Sequence, residues 1–415
     1  MSFFNSDAMT VRTGSARASA TPAPGRRVLF YSHDGTGLGH LRISLGAATA
    51  YSRRRPQDSL LLLTGSLQAG TFPLPANLDF VKLPAMPKRE VYATLPPTEG
   101  YTGAHNSTIR FRAALALATI QGFDPDLIVV DHAPGGLFRE LAPTFEWLRS
   151  APRRPQFALL MRDITFGPEQ TRQIWTNEGV YPLLDEWYSR ILIYGDRRVF
   201  DPIAAYGLSD AVATKSRFCG YLAPLPPRRT AAQVRTELGA GDRALIVVSA
   251  GGGHDGGPLL EAFLTALHER SGPSALSYIV TGPLLADAER EKIGRLARGL
   301  ADVRIAEFDE DFPAAVAAAD VVVSMGGYNS LTEAVYLGKR PVVVPRLPGP
   351  EEQILRANGL ARLDLATVVA PETLTPATLW SAIEDELQRD PPASHLLPFA
   401  GQDVIACELA QLGAH

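Results

Sequence analysis

The chain has 415 residues, 46% hydrophobic and 20% charged, the composition of an ordinary folded protein with room for two or three domains. Forty Lys and Arg against 44 Asp and Glu leave a net charge of -4 and no basic run long enough to track a phosphate backbone, which argues against nucleic acid as the main partner. Cys219 and Cys407 are too few for a disulfide framework and lack metal-ligand spacing, and no stretch approaches the about 18 apolar residues of a membrane span. A cytoplasmic protein without structural zinc is expected.

Residues 1–25 are rich in Ser, Ala and Thr, lack the apolar core of a secretory signal, and read as a disordered tail. From Arg27 onward, apolar runs of strand length alternate with amphipathic segments, the pattern of parallel β-α-β construction, so the fold class is α/β. In the first lobe, 26–222, the runs are 28–31, 60–63, 127–130, 157–161 and 191–194. Each is continuous rather than alternating, as strands buried on both faces should be. Pro224, Pro226, Pro227, Gly239 and Gly241 mark 223–242 as a linker. The rhythm restarts in a second lobe, 243–395, with runs at 244–249, 277–280, 303–306, 321–324 and 342–344. A last helix in 396–415 has the option of packing back on the first lobe.

Open parallel sheets bind ligands at the carboxyl ends of their strands, so the loops after these runs are where chemistry is expected. The first run leads into Gly35-Thr36-Gly37-Leu38-Gly39-His40, and the run 127–130 into Asp131-His132. His40, at the start of a helix, faces the cleft, where Asp131 from another strand end could orient it as a base. His33, Asp34, His132 and His254 compete for that role. In the second lobe, Gly251, Gly252, Gly253 and His254 form a glycine-rich strand-to-helix turn whose amides could cradle a diphosphate. The spacing is not that of a P-loop. The run 321–324 leads through Gly326-Gly327-Tyr328-Asn329 to Ser330-Leu331-Thr332-Glu333. That last tetrapeptide reads as a capping box of a helix starting near Leu331, and also places a carboxylate where ribose hydroxyls could donate to it. Asp124/Asp126 and Asp309/Asp311 resemble carboxylate pairs but have no histidine partner, so no bound metal and no cofactor are expected.

The block Gly326-Gly327-Tyr328-Asn329-Ser330-Leu331-Thr332-Glu333-Ala334, followed by Leu337-Gly338-Lys339-Arg340-Pro341 and then Glu351-Glu352-Gln353, resembles the donor-binding half of GT-B glycosyltransferases. The likeness is strongest to family 28, which contains the peptidoglycan-precursor N-acetylglucosaminyltransferase. The Gly35 to His40 loop resembles that family's N-terminal G-T-G-G-H loop. The resemblance implies two Rossmann-like lobes facing each other across a cleft, with a nucleoside-diphosphate sugar held mainly by the second. It assigns Glu333 to the ribose and Asn329, Ser330 and the 251–253 amides to the diphosphate, with Gly327 and Tyr328 also in the nucleotide-sugar site. Glu352 and Gln353 would meet the donor sugar. His40 would be the base, paired with Asp131, and Gly37, Gly39, His33, Asp34 and His132 would line the acceptor side or the cleft. Met325 departs from those relatives that carry a phosphate-contacting histidine there, which leaves His254 or amides to take the charge.

The activity so implied is inverting, metal-independent transfer of a sugar, from UDP or dTDP, to a hydroxyl of a small-molecule or lipid-linked acceptor. The alternatives are a nucleotide-sugar 2-epimerase of the same fold, whose D-S-G-G signature is absent, and a noncatalytic nucleotide-sugar sensor, which would need no His40–Asp131 pair. The acceptor should lie over the first lobe, where 72–108 reads as a long irregular loop. Lys82, Lys88, Arg89, Arg110 and Arg112 could meet an anionic acceptor or a membrane surface, although a solvated face is the commoner reason for such charge.

Overall fold

In the computed structural model, which describes residues 25–32, 39–86, 107–270, 275–346, 351–392 and 396–412, every apolar run named above forms a strand. The first lobe is a seven-stranded parallel sheet in the order β3-β2-β1-β4-β5-β6-β7. Its strands are β1 Arg27–Tyr31, β2 Ser59–Thr64, β3 Leu78–Lys82, β4 Leu127–Asp131, β5 Gln156–Arg162, β6 Tyr188–Tyr194 and β7 Ser216–Phe218. The second is six-stranded, β10-β9-β8-β11-β12-β13, from β8 Leu245–Ser249, β9 Leu276–Val280, β10 Val303–Ala306, β11 Val321–Ser324, β12 Val342–Val343 and β13 Thr367–Val368. In both sheets the order reverses beside the first strand of the lobe, the switch point at which a crevice opens beyond the strand ends. The central strands β1, β4 and β8 are buried on both faces almost throughout, which is why they read as continuous apolar runs.

Three edge strands were not expected. β3 and the helix Ser107–Phe123 occupy part of the stretch read as one irregular loop. β7 and β13 have 3 and 2 residues, too short to show an apolar run. The linker is also shorter than 223–242. Helix Ala231–Leu238 starts in a Thr230/Gln233 capping box and buries Val234 in the second lobe's core, so that half of the segment belongs to the lobe.

The chain end returns to the first lobe. Helix Gly401–Gln411 buries Ile405, Ala406 and Leu409 in one apolar cluster with Leu41, Leu45 and Ala48 of helix Gly39–Arg54. The Gln402 side chain pairs with both backbone groups of Ala223, and Glu408 forms ion pairs with Arg190 and Arg217. The same cluster takes in Tyr328, Leu331, Val343, Ala357 and Leu360 of the second lobe, so the lobes share a core at their hinge side. A Cβ on Gly359 would collide with the Val199 carbonyl, so glycine is what allows helix Glu351–Arg362 to seat there.

The carboxylate pairs are explained by arginines. Asp124 and Asp126 hold Arg27 and Arg153, while Asp309 and Asp311 clamp Arg229. Arg112 is not a surface charge either. It is fully buried, its guanidinium forked on Glu140, which also accepts from the Tyr31 hydroxyl at 2.6 Å. This triad fixes the loop after β4, because the Tyr31 oxygen in turn accepts from the Leu137 amide at 2.7 Å.

Candidate active site

Residue register brings the first-lobe pair together. Tyr31 lies beside Val130, so β1 and β4 end side by side and the helix that begins at Gly39 opens over the end of β4. His40, second residue of that helix, donates from Nδ1 to Asp131 Oδ2 at 2.7 Å. Asp131 is fully buried between β1 and β5, whereas the His40 side chain retains 22% exposure toward the cleft. With Nδ1 committed to the carboxylate, Nε2 is the nitrogen able to take a proton.

The surroundings of this pair are built, not incidental. The second Asp131 oxygen has no hydrogen-bond partner among the described residues. Nearby, burial and the Asp131 charge drive the Tyr194 phenol well above its usual range. His132 follows with φ 63°, a left-handed backbone uncommon for histidine, and its ring lies 5.1 Å from that of His40. Phe138 and Arg139 are left-handed as well, so strain is concentrated in this loop. Gly39 begins the helix with open space at its Cβ position, while His33, Asp34 and Gly37 lie outside the described residues.

Across the cleft, the second lobe presents three loops at one level. Ser249 pairs with Ser324 and Ser324 with Val343, so the chains leaving β8, β11 and β12 emerge together. In the first, Gly251 and Gly253 have φ 63° and 93°, and a Cβ on Gly253 would collide with the Thr281 carbonyl. Both glycines are required by backbone shape and close approach. His254 is exposed in the same loop. The amide of Leu284 donates to Gly252, and that of Gly282 to Glu307, which brings the 58% exposed Leu284 and 66% exposed Phe308 to the loop's flank.

The second loop corrects the capping box. The helix runs Tyr328–Tyr336 with Gly327 as its N-cap and no side-chain cap, so Ser330 lies inside the first turn and Glu333 in the second. Asn329 is exposed and Ser330 half-buried, both beside the helix N-terminus. Tyr328 does not point outward: its ring is buried in the lobe interface, with the Arg162 and Arg356 guanidiniums 5.2 and 5.0 Å from its centre. Only its backbone stays at the helix mouth.

Without a cap to bind, Glu333 is a carboxyl placed largely out of water. Burial pushes it up to about 7, with Arg42 pulling it down and Asp311 adding to the rise. Arg42 belongs to the helix that carries His40. A carboxyl held above its unfolded value favours the folded chain at low pH and loses that advantage as pH climbs from 4.5 through 7. Glu333→Gln is therefore expected to melt close to the parent at about pH 5 and above it at about pH 8. An equal difference in melting temperature at both pH values would show that the carboxyl carries no such penalty.

Glu352 and Gln353 open the helix Glu351–Arg362, as expected, but face the seam between lobes. Glu352 lies 3.7 Å from Arg162 and 3.6 Å from Arg356, and Gln353 packs beside Gly326 with its buried Oε1 lacking a partner among the described residues. In the third loop stands Arg346, which the reading of strand ends did not include. The run 342–344 was recognised as a strand, and reading onward from its end, as for the other strands, would have reached it.

Residues 261–395 match the glycosyltransferase family 28 C-terminal domain. Among curated proteins, the chain resembles UDP-N-acetylglucosamine--N-acetylmuramyl-(pentapeptide) pyrophosphoryl-undecaprenol N-acetylglucosamine transferases. That of Desulfitobacterium hafniense is 26% identical over 179 residues, covering 40% of this chain and 48% of the relative. That of Aliivibrio salmonicida is 27% identical over 202 residues, 48% of this chain and 53% of the relative. The chain thus spans about half the length of these relatives. Its fold matches Acinetobacter baumannii MurG with TM-score 0.59 at 14% identity, over 93% of this chain and 99% of the other. For CalG4, the calicheamicin glycosyltransferase, the values are 0.59 and 17%, over 92% and 93%. For the UDP-GlcNAc 2-epimerase of Methanocaldococcus jannaschii they are 0.60 and 10%, over 92% and 99%. Residues 261–395 of the second lobe thus resemble the glycosyltransferase family 28 C-terminal domain, and the two lobes together have the GT-B fold.

Proposed function

We propose that the protein is an inverting glycosyltransferase that moves a sugar from UDP or dTDP to a hydroxyl without a metal ion. The observation that carries this reading is the His40–Asp131 pair at 2.7 Å, set on the cleft opposite the glycine loop and Glu333. An epimerase of the same fold has no acceptor hydroxyl to deprotonate, and a sensor has no use for a base, so the pair favours transfer. The names of the curated relatives include a lipid-linked acceptor, which supports a hydroxyl on a small molecule or a lipid carrier. No helix among the described residues is long and apolar enough to cross a membrane. In this reading the protein is cytoplasmic, and a lipid-linked acceptor would be met at the membrane surface.

In this reading the acceptor oxygen bonds to the anomeric carbon as the bond from that carbon to the diphosphate oxygen breaks. The electron pair of the broken bond leaves with the nucleoside diphosphate, and the hydroxyl proton ends on His40 Nε2. Attack from the face opposite the leaving group inverts the anomeric centre. Asp131 holds the imidazole in the tautomer that can accept at Nε2 and steadies the imidazolium that forms. The 251–253 amides and the Tyr328–Tyr336 helix mouth meet the diphosphate charge, Glu333 accepts from the ribose hydroxyls, and Leu284 and Phe308 offer an apolar flank to the base. Gln353 would meet the donor sugar with its unmet Oε1. Glu352, tied to two arginines, would have to exchange a partner to do so.

Calorimetry with UDP and dTDP, in buffer with and without chelator, tests the donor side. Equal binding in both is expected, because the anion sites are amides and helix ends. Binding that disappears with chelator would overturn the metal-free mechanism. Incubation with UDP- and dTDP-sugars alone separates the readings, since interconversion of two nucleotide sugars means an epimerase.

A further inference from the structure

The glycine loop supplies amides but no lysine or arginine, and the residue before the second loop, Met325, is apolar and buried in the lobe core. A diphosphate carries two to three negative charges, and its charge grows as the sugar departs. The third loop supplies what the other two lack. Arg346, three residues beyond Val343, reaches back over the sheet edge until its Nη2 lies 3.4 Å from the position a Cβ on Gly251 would take. Its Nε is 3.2 Å from Asp255 Oδ1, at the far end of the same glycine loop. The two charges are close but misaligned. The buried Nε–H has no acceptor in line, and that Asp255 oxygen has no donor in line, among the described residues. A guanidinium fork held loosely over a bed of amides by a carboxylate suits an anion that can displace that carboxylate.

We propose that Arg346 is the cation that binds the donor diphosphate, exchanging its ion pair with Asp255 for the ligand. This rests on the reading of the cleft as a nucleoside-diphosphate site and names the residue that supplies its charge. Arg346 would read the diphosphate and not the nucleoside, and Asp255 would compete with the ligand for it. The fork places two donors on neighbouring phosphate oxygens, which a lysine cannot do.

The test is calorimetry of the full chain with UDP and dTDP, and competition by uridine and thymidine. Arg346→Ala should weaken diphosphate binding by about 10- to 100-fold, the usual loss for a charge-assisted hydrogen bond, with nucleoside competition unchanged. Arg346→Lys should recover part of the loss, and Asp255→Asn should tighten diphosphate binding by a few fold, about the strength of an exposed ion pair. Arg346→Gln replaces Arg346→Ala should the latter melt early. Wild-type diphosphate affinity in these Arg346 variants would make the residue a tie for Asp255 only and overturn the proposal while leaving the donor reading intact. A parallel loss of nucleoside and diphosphate binding would overturn it as loop damage. If the wild-type chain binds neither UDP nor dTDP, the donor reading fails and this assignment with it.

Discussion

His40→Ala is expected to lower sugar transfer by about 10²- to 10⁴-fold, the range for a positioned proton acceptor, with UDP or dTDP affinity nearly unchanged. The split follows from where the proton moves. His40 takes it only as the acceptor attacks, so its contribution lies in the transition state and not in the bound donor. The other face of the cleft, with the glycine loop and Glu333, is untouched by the substitution. Asp131→Asn should cost less, because the imidazole remains while losing the carboxylate that selects its tautomer and steadies its charged form. Asp131 is fully buried, so that variant should also be checked for its melting temperature. If the two act as one unit, the double variant should lose less than the product of the single losses. Rates are read as consumption of a UDP- or dTDP-sugar with hydroxyl compounds or, more slowly, with water. Full activity in His40→Ala, or a loss accounted for by weaker nucleotide binding, would remove His40 from the base role. His132 would then be the neighbour to test, its ring 5.1 Å away.

The parallel sheets were legible because strands buried on both faces leave continuous apolar runs, and all ten such runs became strands in the two lobes. β7 and β13 left no trace, since 3 and 2 paired residues need no apolar pattern. His40 and Asp131, 91 residues apart in sequence, could be paired on paper because each ends a predicted strand or opens the next helix, and strand ends of one lobe meet. The capping-box reading of Glu333 does not hold. The side-chain rule for helix starts chose Ser330, but the chain turns earlier, at Gly327 in an extended conformation, which no hydroxyl announces. Asp309 and Asp311 show the converse case: their partner Arg229 lies about 80 residues away, across a connection whose course the sequence does not reveal. Glu352 was expected to face the donor, and what the sequence could not show is how closely the first lobe approaches that helix.

That approach makes Arg356→Met the substitution expected to cost the most stability, about 3–5 kcal/mol, the usual loss when a buried ion pair is broken on one side. Arg356, from helix Glu351–Arg362 of the second lobe, and Asp163, just after β5 of the first, are both fully buried and 3.0 Å apart. Asp163 is otherwise held by the Tyr221 hydroxyl at 3.1 Å and the Ile164 amide at 2.8 Å, neither of which carries charge. Removing the guanidinium leaves a carboxylate out of water with two neutral donors, and also takes one of the two cations from the face of Tyr328. Glu352 would retain Arg162, so its loss should be partial. Adding Asp163→Asn to Arg356→Met removes the stranded charge and should restore part of the stability, which a role based on packing alone would not produce. Urea titration of the parent, the single variants and the double variant reads all four corners of that cycle. A cost below about 1 kcal/mol for Arg356→Met, or strictly additive losses, would mean that this buried pair does not hold the two lobes together.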